Sequence, residues 1–248
     1  MCTLVVGIRQ LGLPLVVAAN RDERLDRAAT GPRRWPGTSF VAPRDEVAGG
    51  TWLGLTASGM FVGVTNRFGA PRDAARESRG ALVVEALGRG SAREVHASLA
   101  DLDARRFNAF HLLYADRDAA FVTWSDGAIV RRHQLGPGLH VVTERSLGGD
   151  DRARTELAAA LWAPIAAAGK PDVPALESLL RQHRPDDPLG GTCVHLPAFN
   201  YGTRSSLVLL LGETRPATRL FWAEGPPCTA PFVERPDLVA AFGYLPAR

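Results

Sequence analysis

Residues 1–23 of this 248-residue chain are MCTLVVGIRQLGLPLVVAANRDE, and this stretch decides the fold. Two apolar runs rich in β-branched residues, 3–8 and 15–19, are separated by a turn that contains glycine and proline. This pattern predicts a β-hairpin. Because nearly every position of both runs is apolar, we expect both strands to be covered on both faces. Antiparallel pairing would bring the polar residues 20–23, which end the hairpin, beside Cys2.

Further along the chain, strand patterns give way to helix patterns and then return. The strands predicted after the first hairpin are 51–56, 60–65, 108–114, 119–124, 128–133, 138–143, 192–196, 205–211 and 218–223. The predicted helices are 78–87, 91–102, 150–168 and 173–183. The four strands that begin at position 108 are predicted to form one antiparallel meander. Residues 24–50 are rich in glycine, proline and charge, and they are predicted to form a long loop.

This order of strands, helices and strands predicts an α+β fold. No segment between the elements has the composition of a linker. A chain of this length can bury a core without disulfides or a structural metal. The sequence therefore predicts a single domain that spans residues 1–248.

The charge and cysteine content exclude several classes of partner. The chain has 29 basic and 26 acidic residues, a formal net charge of +3, and its basic residues are dispersed. We therefore expect no nucleic-acid partner. No apolar stretch approaches the roughly 18 residues of a membrane span, and no signal-peptide pattern is present. Three widely spaced cysteines are a poor disulfide framework, which indicates a reducing compartment, the cytoplasm.

Cys2 is the first candidate for chemistry. If Met1 is removed, Cys2 carries both a thiol and a free α-amino group, whose pKa of about 7.7–8.0 lets it act as a base. Asp22 is placed to hold that amine, and Arg21 is placed to favour the thiolate by its charge. The alternatives are a buried cysteine without chemistry and a salt-bridged start of a loop.

Three further features carry weaker signals. Asn66 ends a predicted strand, where its amide could donate to an oxyanion or form a turn. Arg204 precedes a buried strand, where it could orient a carboxylate or a thiolate, or form an ion pair at the sheet edge. Cys193 and His195 share a strand face and could ligate a metal or haem iron. Two ligands are too few for a closed site, so the sequence predicts no metal site.

Four short segments together form a specific combination: MCTL at 1–4, ANRDE at 19–23, GVTNR at 63–67 and YGTR at 201–204. In this combination the chain resembles the NRDE family, which includes the transport and Golgi organisation proteins of eukaryotes. That family is similar to the N-terminal-nucleophile hydrolases, especially the penicillin V acylase and bile-salt hydrolase branch. The resemblance implies a four-layer αββα sandwich.

The resemblance also implies roles for individual residues. Cys2 would be the nucleophile after loss of Met1, and Asp22 would bind its α-amino group. Asn66 would lie in the oxyanion hole, and Arg204 would lie near the thiol. The residues expected to contact a substrate are Asn20, Arg21, Glu144 and Tyr201.

Two positions depart from the acylase pattern. The arginine expected three residues before Asp22 is replaced by Ala19, and an asparagine expected after the meander is replaced by Glu144, whose charge opposes an oxyanion. The sequence thus leaves two functions open. The first is an N-terminal-cysteine amidohydrolase or acyl-transferring enzyme that acts on a small amide or acyl substrate and requires no cofactor. The second is a non-enzymatic protein that uses the same pocket to bind and traffic haem, acyl-CoA or lipid.

Overall fold

The computed structural model describes residues 2–147 and 152–240. The strands in these residues are β1 (Cys2–Gln10), β2 (Leu13–Arg24), β3 (Ala29–Arg34), β4 (Phe40–Asp45), β5 (Leu53–Thr56), β6 (Phe61–Asn66), β7 (Phe110–Ala115), β8 (Ala120–Ser125), β9 (Val130–Leu135), β10 (Gly138–Val142), β11 (His195–Leu196), β12 (Tyr201–Leu211), β13 (Arg219–Ala223) and β14 (Val233–Glu234). The helices are α1 (Arg79–Leu87), α2 (Ala92–Ser98), α3 (Arg152–Ala167), α4 (Val173–Leu180) and α5 (Pro236–Ala240). The α+β fold is confirmed.

The chain divides into two compact units. The first unit contains residues 2–27 and the described part of 137–235. Its antiparallel sheet has the order β10-β1-β2-β12-β13-β14, and β11 pairs with β12. Helices α3 and α4 pack on this sheet through contacts with β10, β2 and β12. The first unit therefore consists of one sheet layer and one helix layer.

The predicted hairpin forms from β1 and β2, with Cys2 paired to Arg21 and Ile8 paired to Leu15. Residues 3–8 are buried without interruption, as expected for strands covered on both faces. One face of the hairpin joins a core cluster with helices α3 and α4. Members of this cluster are Val5, Val16, Ala18, Ala158, Trp162, Leu176, Leu179, Val208 and Phe221. At about 25 cal/mol per Å² of apolar area, this burial is the main source of stability for the unit.

The second unit contains residues 28–136 together with α5. Its antiparallel sheet runs β3 to β9 in sequence order, and α1 and α2 pack on it. The β5–β6 hairpin turns at Gly59, which has a φ of 86° and can adopt this angle because it has no Cβ. Asn66 is the last residue of β6 and pairs with Phe110 of β7.

The prediction that residues 24–50 form a long loop is wrong, because this segment contains β3 and β4. Proline argued against strands there, yet the two prolines inside these strands, Pro32 and Pro43, lie where regular ladder pairing is absent. Pro32 lies within the irregular step of β3 between Thr30 and Arg33. Pro43 lies opposite that step and beyond the part of β4 that pairs with β5.

The predicted four-strand meander is also wrong in its last strand. Strands β7, β8 and β9 form it as expected, but β10 pairs with β1 of the first unit's sheet. The sequence Gly136-Pro137-Gly138 explains the change. Pro137 cannot donate to a ladder, and Gly138 has a φ of 132°, which side chains rarely permit.

Within the described residues, no helix combines the length and the apolar character that crossing a membrane requires.

We expect Gly7→Ala to destabilise the protein by about 1–3 kcal/mol. A Cβ at Gly7 would lie 2.5 Å from an atom of the buried Trp162 ring, and that ring is fixed in the core. The measurement is the free energy of unfolding in urea, followed by circular dichroism. The double variant Gly7→Ala/Trp162→Leu should lose less unfolding free energy than the sum of the losses in the two single variants.

Gly136→Ala is the matched control, because a Cβ there meets no heavy atom within 4 Å. Its effect should stay below about 0.5 kcal/mol. Equal stability for Gly7→Ala and Gly136→Ala would contradict the packing of Trp162 against β1.

Candidate active site

Cys2 is the first residue of β1, at the end of the sheet where the polar residues of β2 begin. Its pairing with Arg21, and the pairing of Arg21 with Ser205 of β12, places these three residues on one face. The residue as a whole keeps partial exposure. Burial of its thiol raises the pKa of Cys2, the Asp22 charge raises it further, and Arg21 opposes the increase. The thiol therefore needs a base to become a nucleophile.

Asp22 lies on the opposite face and is 1% exposed. Its Oδ1 accepts a 2.6 Å hydrogen bond from the Thr203 hydroxyl, and its Oδ2 lies 3.9 Å from Nη1 of Arg154. Its backbone carbonyl accepts from the Tyr201 hydroxyl at 2.9 Å. Burial raises the pKa of the Asp22 carboxyl, while the Arg154 charge and the Thr203 hydrogen bond hold that increase back.

Arg154 is fully buried and connects the segments around Asp22. Its Nη1 donates to Thr3 Oγ1 at 3.1 Å and to Glu144 Oε2 at 3.2 Å, and its Nη2 donates to the Leu189 carbonyl. It lies in the first turn of α3, where the helix dipole disfavours a cation. The two carboxylates, Asp22 and Glu144, offset this cost. Glu144 is therefore a paired charge and not an isolated anion.

Asn20 uses its side-chain amide to connect the sheet to the segment that follows α4. Its Nδ2 donates to the carbonyls of Leu180 and Thr192, at 2.9 and 2.6 Å. Its Oδ1 accepts from the Ser206 hydroxyl at 2.6 Å. This arrangement shows how β2 is held in place. The predicted contact of Asn20 with a substrate stays a prediction.

Arg204 lies inside β12, which begins at Tyr201 and thus earlier than the sequence indicated. It occupies a β-bulge, because Thr203 pairs with Asp22 and Ser205 already pairs with Arg21. Its Nη1 donates to the carbonyls of Arg24, Leu25 and Arg27, at 3.0, 2.5 and 3.1 Å. Arg204 thereby fixes the chain that leaves β2. Its predicted place near the Cys2 thiol stays a prediction.

The first unit therefore brings together Cys2, Asp22, Tyr201 and Glu144 at one end of its sheet. Asn66 belongs to the second unit, where it ends β6, and its predicted place beside an oxyanion stays a prediction. A thiol, a buried carboxylate and a buried guanidinium therefore lie at the same end of this sheet.

Sequence reasoning missed Arg154 and Thr203. The signal for Arg154 was present: Arg154, Ala158, Trp162 and Ile165 form one buried face of α3, so a basic residue continues an apolar stripe. Thr203 belongs to the YGTR segment, but its contact with Asp22 could not be predicted, because its position opposite Asp22 depends on the bulge at Arg204.

A second group of side chains offers metal-ligand atoms. The sequence predicted no metal site, because Cys193 and His195 made too few ligands. The structure adds His183 and Cys228, and one ligand atom from each of the four lies within 4.8 Å of all the others.

Comparison with known proteins places the chain in a family and a fold. The family model described as Transport and Golgi organisation 2 matches residues 1–220. A Transport and Golgi organization protein 2 homolog from Bos taurus is 26% identical over 228 residues, which cover 79% of this chain and 82% of that protein.

Two solved structures are similar at low sequence identity. An N-acylethanolamine-hydrolyzing acid amidase orthologue from Caenorhabditis elegans has a TM-score of 0.55 and 13% identity, covering 87% of this chain and 96% of its own. A variant of conjugated bile acid hydrolase from Clostridium perfringens has a TM-score of 0.59 and 10% identity, covering 95% and 93%. These likenesses show the fold, which is that of the N-terminal-nucleophile hydrolases.

We expect Arg154→Met to destabilise the protein by about 3–5 kcal/mol at about pH 8, because it leaves the buried Asp22 and Glu144 without their cation. The pKa of Asp22 in the folded protein already lies above its ordinary value. The folded protein therefore loses stability as the pH rises from the ordinary pKa of Asp22 to its raised value, because the carboxyl must ionise while buried. Loss of Arg154 raises the pKa of Asp22 further. The deficit should therefore be smaller at about pH 5.

The measurement is the free energy of unfolding in urea at both pH values. Arg93→Met, on the exposed face of α2, is the control and should change stability by less than about 0.5 kcal/mol at either pH. A deficit for Arg154→Met that is equal at both pH values would contradict this account of Asp22.

Proposed function

The chain belongs to the Transport and Golgi organisation 2 family, and from this premise we propose that it is an N-terminal-cysteine amidohydrolase. It would transfer the acyl group of a small amide to water. The observation that carries the proposal is the position of Cys2, at the start of β1 and beside the buried Asp22, in the fold of the N-terminal-nucleophile hydrolases.

In the proposed reaction, removal of Met1 leaves Cys2 with a free α-amino group. That amine has an ordinary pKa of about 7.7–8.0, so a neutral fraction is available near pH 7 to accept the thiol proton. The sulfur then attacks the amide carbonyl and forms a tetrahedral oxyanion. Collapse breaks the C–N bond, and the leaving amine takes the proton from the α-ammonium group. A water molecule then hydrolyses the thioester, with the same amine as base.

Asp22 is the proposed partner of the α-amino group. Register supports this role, because Asp22 follows Arg21, the residue paired with Cys2. The Thr203 hydrogen bond and the Arg154 charge favour the ionised form of Asp22 against the effect of burial. An ionised Asp22 would hold the ammonium form of the amine and orient it toward the sulfur.

Asn66 is the proposed donor to the oxyanion. A side-chain amide can supply such a hydrogen bond, and Asn66 stands at the end of β6. Glu144 was expected to oppose an oxyanion. Its pairing with Arg154 at 3.2 Å compensates that charge, which supports the proposed hydrolysis.

A non-enzymatic carrier is the second candidate, and one observation favours it. Burial raises the pKa of the Cys2 thiol, and a protonated thiol is a poor nucleophile. If Met1 were retained, the proposed base would be absent. The pocket would then bind haem or an acyl thioester without cleaving it. This function requires ligand binding that survives Cys2→Ser, unless the sulfur itself ligates haem.

The test begins with the intact mass of the untagged protein, which should lack one methionine. Acid release from a panel of fatty-acyl and bile-acid amides is then followed by mass spectrometry. Cys2→Ser should reduce hydrolysis to background, and Asn66→Ala should lower kcat by about 10²–10³-fold.

Asn108→Ala is the control for Asn66, because the Asn108 amide binds the backbone of Asp73. It should leave kcat unchanged. The proposed amidohydrolase activity would be overturned if Met1 were retained and no acid were released from any amide. The next experiments would then be titrations with haem and acyl-CoA.

A further inference from the structure

We propose that His183, Cys193, His195 and Cys228 form a zinc-binding site. Nothing in the proposed hydrolysis uses these residues, so the site stands on its own observations. The four residues come from three separate parts of the first unit: His183 lies just after α4, Cys193 and His195 lie just before and in β11, and Cys228 lies in the turn after β13. Their ligand atoms all lie within 4.8 Å of one another.

The set of ligands matches zinc. Two thiolates and two imidazoles are a common tetrahedral set for Zn²⁺. Zinc–sulfur and zinc–nitrogen bonds of about 2.3 and 2.0–2.1 Å place tetrahedral ligand atoms about 3.3–3.8 Å apart. Nε2 of His195 lies 3.2 Å from Sγ of Cys228, already near this spacing. The widest separation exceeds it by about one ångström, which rotation of a side chain covers.

The hydrogen bond of His183 fixes the tautomer that a metal needs. Its Nδ1 lies 3.0 Å from the backbone carbonyl of Cys193, and a carbonyl only accepts, so Nδ1 carries the proton. The lone pair is then on Nε2, which remains available as a ligand. A ligating histidine commonly donates its other ring nitrogen to a backbone carbonyl in this way. The ring of His183 also contacts that of His195 edge to face, with centroids 4.9 Å apart.

Hydrogen bonds that do not involve the four ligand side chains also join these three segments. The Cys193 amide donates to the Gln182 carbonyl at 2.9 Å, which joins the segment before β11 to the residues just after the end of α4. Nε of Arg181 donates to the Pro227 carbonyl at 2.9 Å, which joins the same end of α4 to the turn that carries Cys228. Preorganised ligands lose little conformational entropy when they bind a metal.

Charge and burial also favour a divalent cation. Cys193 is 1% exposed, whereas both histidines reach the surface. Two thiolates neutralise Zn²⁺, so the loaded site buries no net charge. The exposed histidines give the ion an entry path. A disulfide between Cys193 and Cys228 is the competing arrangement, and it would consume both sulfur ligands.

A bound zinc would affect the Asp22 carboxylate through the hydroxyl of Thr203. The Val194 amide, between the ligands Cys193 and His195, donates to Thr203 Oγ1 at 2.8 Å. The same hydroxyl donates to Asp22 at 2.6 Å. Cross-linking β11 would therefore fix the hydroxyl that holds Asp22, which is a structural role and not a catalytic one.

The test is the zinc content of the full chain after expression with zinc and dialysis, measured by elemental mass spectrometry. We expect about one zinc per chain. Cys193→Ser and Cys228→Ser should each lower zinc affinity at least about tenfold. Cys2→Ser and His133→Asn, a cysteine and a histidine outside the cluster, should keep the zinc of the unaltered chain.

A second measurement covers variants that fail to fold. The reduced, chelator-treated chain is titrated with zinc, and its thiols are counted with a thiol reagent. Zinc should protect two of the three cysteines. The exposed His183→Gln should weaken that protection while its circular dichroism stays unchanged. The proposal would be overturned if the reduced chain took up no zinc, or if zinc protected the thiols of His183→Gln as well as those of the unaltered chain. It would also be overturned if the purified chain carried one equivalent of another metal instead of zinc.

Discussion

The first unit depends on one buried cation. Arg154 enters from the first turn of α3 and binds Thr3 of β1, Glu144 after β10 and the Leu189 carbonyl, with Asp22 of β2 at 3.9 Å. A guanidinium presents five donors in a fixed plane, so one side chain orients several segments at once. Asp22 and Glu144 can be buried beside Cys2 because this cation lies between them. Neither carboxylate nor the guanidinium would be stable there alone.

Much of the fold could be predicted from the sequence because local signals agreed with the final structure. The hairpin of β1 and β2 combines apolar runs with a glycine and proline turn, and its register placed Asp22 next to Cys2. The α3 and α4 patterns were equally clear. The prediction of a loop over residues 24–50 failed because the effect of a proline depends on which strands lie beside it, and the sequence does not give those neighbours. Pro32 and Pro43 argued for a loop, yet both lie where a sheet tolerates them.

The site was less predictable than the fold because its members come from distant segments. Cys2 and Asp22 are joined by one hairpin, so sequence could associate them. Arg154 and Glu144 reach Asp22 only through tertiary packing. The same reason hid the cysteine and histidine cluster, since spacing within a single segment showed Cys193 and His195 alone. Sequence patterns record neighbours along a strand or helix, and they do not record what a third segment adds.

The bulge at Arg204 has a consequence for comparing this chain with its relatives. In a regular strand, the pairing of Ser205 with Arg21 would place Arg204 opposite Asp22. The extra residue puts the Thr203 hydroxyl there instead and sends the Arg204 guanidinium to the carbonyls that follow β2. One backbone irregularity thus exchanges a cation for a neutral donor next to a carboxylate. Two homologues with identical residues in an alignment, one of which lacked this irregularity, would differ in local charge by a full unit.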